Sequence, residues 1–201
     1  MDKQVIVTIG REFGSAGHEI GEELAKRFGV KFYDRTIVEE MSKAMNLDEK
    51  ELEKYDEKVR TPFFSRTVRG YSNSPADIVF ELQSKFIREK ADAGESFVLI
   101  GRCGEEIFKE SNNHVSIFVR GDKEEKIARV MGKYNLDRDE AFDKMTRHDR
   151  QRKEYHNSRC SGKWGDSRTY DLCINSSPVG VEPTINILVQ YIYSRIEKFD
   201  A

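Results

Sequence analysis

The chain opens with a short apolar, β-branched run, QVIVTI from Gln4 to Ile9. A glycine-bearing stretch follows, then apolar residues at helical spacing: Ile20, Leu24 and Phe28. Such a run predicts a buried parallel strand, and the spacing after it predicts a helix that Gly29 can end. The alternation recurs. VKFYD predicts a second strand ending at Asp34, and SFVLIG, HVSIFV and YDLCIN predict a third, fourth and fifth. Thr36 with Glu39, Asp48 with Glu51, Asp122 with Glu125 and Asp137 with Glu140 stand three residues apart, the spacing of helix-start capping boxes. Ile78, Leu82 and Phe86 mark a helix ending near Gly94. Val181, Ile185, Leu188, Val189, Ile192 and Ile196 give the final helix an apolar stripe. Strands alternating with helices predict an α/β fold, a parallel sheet covered on both faces.

Two segments break the alternation. One, about 35–94, includes TPFFSRTVRGYSNSP, whose turn formers and aromatics predict a loop in an inserted lobe. The other, about 136–168, is densely charged and predicts a long helix. Both are expected over the carboxyl ends of the strands, where ligands bind in open α/β sheets. The length of 201 residues predicts a single domain, with its core in 1–34, 95–135 and 169–201.

Charge and cysteine content narrow the picture. Charged residues make up 35% of the chain, yet the net charge is only -2. A role in coating nucleic acid is therefore disfavoured, and an anion site must come from local clustering. Cys103, Cys160 and Cys173 are widely spaced and odd in number, which argues against a disulfide framework and for a reduced, cytoplasmic compartment. The start carries no signal-peptide pattern. No apolar run approaches the ~20 residues that span a bilayer.

Three stretches carry candidate chemistry. In GREFGSAGH, Gly10, Gly14 and Gly17, with Ser15, Ala16 and His18, lie between a strand and a helix. Glycine-rich backbone there can close its N–H groups around phosphate oxygens, and the helix dipole favours the anion. In IGRCG, Arg102 follows a buried strand, and a guanidinium suits bidentate phosphate contact. In TRHDRQRKEYHNSRCSGKWGD, arginines crowd together. Arg147 and Arg150 fall on one helix face, able to stabilise a transferring phosphoryl group. The alternative for this stretch is a solvated face paired with acids such as Glu154. A further alternative is an RNA-contacting arm in which Tyr155, Trp164 and Tyr170 stack bases. The histidines have no HExxH spacing, so a zinc site is not indicated, and His114, at a strand start, is expected to be structural.

Together these residues resemble the cytidylate kinase-like family of P-loop nucleoside monophosphate kinases, over nearly the whole chain. LAKRFGVKFYD resembles the family's passage from the P-loop helix into the monophosphate-binding lobe. IGRCG resembles its Gly-Arg-Asp segment, with Cys103 in place of the aspartate. DRQR, Asp149 to Arg152, resembles its Asp-Arg-x-Arg lid motif, and YDLCINSS its last strand and turn. The resemblance implies a three-layer P-loop fold with a five-stranded parallel sheet, a monophosphate-binding insertion and a lid. It also implies ATP with Mg2+ as donor, and CMP, dCMP or a related small acceptor. Gly10 and Gly14 to His18 would hold donor phosphates. Arg102, Asp149 and Arg152 would hold the acceptor, with Asp34 orienting it or a metal-bound water; the metal ligands stay unassigned.

The P-loop lysine and hydroxyl are missing. They align with Gly17 and His18 when counted back from the helix, and with His18 and Glu19 when matched forward from SAGH. Arg11 is the nearest substitute, or a lid arginine could reach in. A protein of this fold that binds nucleotide without transferring phosphate is the alternative function. The expected partners are a nucleotide donor and a small acceptor, with no membrane and no nucleic acid; self-association as a homo-oligomer is left open.

Overall fold

A computed structural model describes residues 3–58, 67–68, 71–72 and 74–198. The chain runs through β1 (Ile6–Arg11), α1 (Gly17–Phe28), β2 (Lys31–Tyr33), α2 (Thr36–Met45) and α3 (Glu49–Glu53). A two-stranded antiparallel pair, β3 (Thr67–Val68) and β4 (Tyr71–Ser72), comes next, then α4 (Pro75–Asp92), β5 (Phe97–Ile100) and α5 (Gly104–Ile107). The last elements are β6 (His114–Arg120), α6 (Lys123–Tyr134), α7 (Arg138–Arg159), β7 (Leu172–Asn175) and α8 (Val181–Ile196). The strand order is β2-β5-β1-β6-β7, with every pairing parallel, as expected of the α/β reading. Most of TPFFSRTVRGYSNSP lies outside the described residues.

The period-two side-chain pattern of the strands splits the core into two layers. Val5, Val7, Ile9, Val98 and Ile100 pack under Ile20 and Leu24 of α1 and Ile185, Leu188 and Ile192 of α8. The opposite residues, Ile6, Phe97 and Leu99, pack with Ile37 and Met41 of α2 and with Val79, Phe86 and Ile87 of α4. Burying each such branched or aromatic side chain contributes roughly 1.5–3 kcal/mol. Residues 35–94, expected as an excursion, thus supply two helices to the second face of the sheet. Neither covering helix could dock without its apolar stripe.

The helix starts differ in detail. Asp137 and Glu140 form a complete capping box, and Asp48 accepts from the Lys50 and Glu51 N–H groups. Thr36 is itself the first residue of α2, its N–H held by Asp34 Oδ1 at 3.0 Å. Asp122 does not cap α6; its Oδ1 instead accepts from Asn175 Nδ2 at 2.8 Å. α6 and α7 pack through Ile127, Val130, Ala141 and Met145, and Phe13 from the glycine loop inserts against this cluster. His114 is a buried core residue, 2.7 Å from Thr8 Oγ1, and burial lowers its pKa to about 4. Among the described residues no helix is long and apolar enough to cross a membrane.

Candidate functional site

The β1–α1 turn is left-handed at two points. Gly14 has φ +85°, and a Cβ there would stand 2.9 Å from the Lys126 carbonyl oxygen. Ala16 follows at φ 62° as the N-cap of α1. The next residue, Gly17, leaves room for the Arg11 side chain, whose Cβ would lie 2.5 Å from any Cβ at 17. The turn therefore folds Arg11 beneath the first turn of α1. That turn has N–H groups with no intrahelical acceptor. Gly14, Ala16, Gly17 and His18 border a cavity of about 600 Å³, within the range of small-ligand sites.

Several elements lock this turn in place. Glu12 Oε2 accepts from Gly121 N–H at 3.0 Å and from Lys126 Nζ at 2.8 Å. Ser15 is buried and donates to the Glu12 carbonyl, and Ser176 donates to the Ser15 carbonyl at 2.8 Å. From α7, Asp149 Oδ1 accepts the Phe13 N–H at 2.6 Å, and the His148 ring stacks on Phe13 with centroids 4.4 Å apart. Asp149 is thus a loop-holding carboxylate paired at 3.6 Å with Lys126, and it does not line the cavity. Ser15 and Gly10 do not line it either. Gly10 instead makes way for Phe118 and Tyr170, so the cavity-facing part of the loop is Gly14 and Ala16 to His18.

Of the five arginines that line the cavity, three come together from different elements: Arg11 at the end of β1, Arg102 after β5 and Arg152 of α7. Arg102 sits in the left-handed region at φ 53°, directly before Cys103 at φ 55°. Its side chain is only 1% exposed. Arg102 Nη2 lies 2.8 Å from Asp56 Oδ2, and Glu57 Oε1 is 3.8 Å from both Arg102 Nη1 and Arg11 Nη1. Arg152 donates to the Arg11 carbonyl at 3.3 Å. Burial and the neighbouring Arg152 press the Arg11 pKa down to about 9, as befits a cation short of counter-charge. Burial alone would raise the Glu57 carboxyl, but Arg102, Arg11 and Arg152 outweigh it and hold the pKa at about 2. Arg102 Nε is buried without a hydrogen-bond partner among the described residues. The cluster is engaged by the chain's own carboxylates, Asp56 and Glu57.

Asp34, at the end of β2, faces the same cavity. Its Oδ2 lies 2.8 Å from His18 Nε2, and its Oδ1 accepts the Thr36 N–H. Burial raises the Asp34 pKa, but Thr36 and His18 more than offset this and lower it. Eight Lys and Arg residues line the cavity against five carboxylates, so local clustering reverses the sign of the whole chain.

The arginines of α7 separate. Arg147 and Arg150, expected over a transferring phosphate, are exposed, and neither lines the cavity. The face of α7 that packs inward runs through Ala141, Met145, His148, Asp149, Arg152 and Tyr155, and residues 147 and 150 lie off that row. Tyr155 and Tyr170 are buried and Trp164 packs edge-on against Phe118, so they form no stacking arm for RNA. Asp56, Glu57, Lys126 and Glu12 were not legible as site residues. Asp56 and Glu57 lie inside a charged run without spacing, and Lys126 and Glu12 acquire their roles only through pairing.

The cytidylate kinase-like family matches this chain over residues 6–178. Among solved structures, an uncharacterized protein from Eubacterium ventriosum is 35% identical, with TM-score 0.76, covering 95% of this chain and 99% of its own. Shikimate kinase from Bacteroides thetaiotaomicron has 12% identity and TM-score 0.54, covering 94% and 98% respectively. Shikimate kinase from Acinetobacter baumannii in complex with shikimate has 13% identity and TM-score 0.52, covering 96% and 94%. The two shikimate kinases show likeness of fold alone. No curated protein matches in sequence.

Proposed function

The chain belongs to the cytidylate kinase-like family, and from that premise we propose that it transfers the γ-phosphate of ATP to a nucleoside monophosphate of the CMP or dCMP class, or to a related small acceptor. The observation that carries this reading is the convergence of Arg11, Arg102 and Arg152 in one cavity with the left-handed turn and the N-terminus of α1. Phosphoryl transfer asks mainly for positioning and electrostatic stabilisation, and both are what such an arrangement supplies. In this reading, first-turn N–H groups of α1 hold the donor phosphates. Arg102 and Arg152 take the acceptor phosphate, displacing Asp56 and Glu57. Arg11 contributes the cation that the loop's missing lysine would have supplied; an unreplaced donor of that kind costs about 3 kcal/mol at the transition state. Asp34, an oxygen donor inside the cavity, suits a hard cation, so it would hold the magnesium accompanying ATP, whose charge would neutralise the phosphates.

The test is a coupled ATP-consumption assay across nucleoside monophosphates and small non-nucleotide acceptors. Acceptor-dependent turnover that disappears in Arg102→Met supports the proposal. Absence of turnover with every acceptor, at protein concentrations where nucleotide raises the melting temperature, rejects it.

That second outcome would favour a nucleotide-binding regulator of the same fold. Its supporting observation is that His18, in the first turn of α1, is engaged with Asp34 at 2.8 Å, while no lysine stands in the turn. Absence of any nucleotide effect on melting would sink both readings.

A further inference from the structure

Beside the Arg102 turn lies a second cluster that phosphate transfer does not use. Glu105 belongs to α5, His156 to the last turns of α7, and Cys160 is the C-cap of α7. One ligand atom from each lies within 4.8 Å of the others. His156 Nε2 is 2.6 Å from Glu105 Oε1, and Cys160 Sγ is 3.7 Å from the same oxygen. Cys103, the N-cap of α5, stands outside that set of three. Cys103, Glu105 and His156 also border a small cavity of about 20 Å³, room for one water-sized occupant.

We propose that Glu105, His156 and Cys160 form a zinc site, with Cys103 turning in from the same small cavity as the fourth ligand, that ties the end of α7 to the turn carrying Arg102. A tetrahedral zinc with bonds of about 2.0–2.3 Å sets neighbouring ligand atoms roughly 3.3–3.8 Å apart. The Cys160–Glu105 separation already has that value, and the His156–Glu105 pair has to open by only about 1 Å. Two thiols and an imidazole select zinc over magnesium or calcium. The imidazole is already oriented for ligation. Its Nδ1 lies 3.2 Å from Asn157 Oδ1, which also accepts the Trp164 N–H at 2.9 Å. Such an outer partner fixes the tautomer that leaves Nε2 for a metal.

Binding is a proton-for-metal exchange without electron transfer. The His156 Nε2 proton and the two thiol protons leave, and Zn–N, Zn–S and Zn–O bonds form. Two thiolates and a carboxylate around a divalent ion leave a single negative charge. Arg11, Arg102 and Arg152, which border the same small cavity, face that charge. Cys103 and Cys160 are far apart in sequence and show no metal-ligand spacing, so only the fold brings them together. The site is independent of whether the protein transfers phosphate.

The test uses the full chain, reduced, stripped with a chelator and titrated with Co2+ and then Zn2+. The expected result is one ion per chain, with thiolate-to-cobalt charge-transfer absorption and tetrahedral visible bands that zinc bleaches. A rise in melting temperature with zinc is expected as well. Cys160→Ser and His156→Asn abolish the thiolate absorption, and Cys173→Ser leaves it intact. Absence of thiolate absorption in the wild-type chain overturns the proposal, as does absorption that persists in Cys160→Ser or vanishes in Cys173→Ser. A Cys103–Cys160 disulfide in the isolated protein, with no metal taken up after reduction, also overturns it. The wild-type titration decides the matter even where a variant fails to fold.

Discussion

Asp56→Asn tests whether the arginine cluster is an anion site held by the protein's own carboxylates. Arg102 Nη2 and Asp56 Oδ2 are 2.8 Å apart, with side chains 1% and 9% exposed. With charge centres about 4 Å apart and an effective dielectric near 20, their attraction is about 4 kcal/mol. Desolvation of both ions takes back a large part of that. After the change, Arg102 keeps the Ile100 carbonyl at 3.2 Å and Glu57 at 3.8 Å. Gln83 Nε2 donates to Asp56 Oδ1 at 2.9 Å, so an asparagine that keeps its oxygen on Arg102 needs the Gln83 amide to turn its Oε1 towards the new NH2. The net loss is therefore about 2 kcal/mol, and for a chain of this size the melting temperature falls by about 4–8 °C. The freed guanidinium then meets inorganic phosphate without first giving up a carboxylate. If most of the lost pairing energy reappears in binding, phosphate affinity rises roughly 10- to 30-fold. Calorimetric titration with phosphate, alongside melting curves with and without it, measures both effects. A variant that melts lower yet binds phosphate no more tightly than the wild type would refute the reasoning.

Other changes probe the remaining parts of the site. Removing the half-exposed His18–Asp34 pair by His18→Ala should alter stability by no more than about 0.5 kcal/mol. Thermal melting measures this; a loss above about 1 kcal/mol would show the pair to be worth more than an exposed ion pair. Gly14→Ala forces a side chain into φ +85° against the Lys126 carbonyl, at about 1–3 kcal/mol, and should abolish phosphate binding; wild-type melting and affinity would contradict the left-handed turn. The double change Arg147→Ala and Arg150→Ala, on exposed positions, should move stability by less than about 0.5 kcal/mol, with phosphate affinity in calorimetry unchanged; a marked weakening would show that they reach the anion. Glu57, its pKa lowered from 4.5 to about 2, contributes stability that is present above pH 4.5 and lost as the pH falls towards 2. Melting temperature should therefore drop over that window, and Glu57→Gln should flatten the drop; an unchanged slope would count against the pairing.

Local sequence was enough to dictate the alternation of strands and helices, the glycine turn before α1 and the position of Arg102 at the end of a buried strand. Runs of β-branched residues, a helical stripe and turn chemistry leave little choice of conformation. The Asp137–Glu140 start of α7 was equally legible, because a capping box closes within four residues. What α7 presents to the site was not. Its inward row includes His148, Asp149 and Arg152 and its outward side includes Arg147 and Arg150, so both sides are charged and no apolar stripe marks the buried one. Only packing against α6 and Phe13 turned Asp149 to the loop backbone and Arg152 to Arg11. Asp56 against Arg102, and Cys160 beside Glu105, likewise come from the packed fold, because an ion pair or a ligand set between residues tens of positions apart leaves no periodicity in the chain.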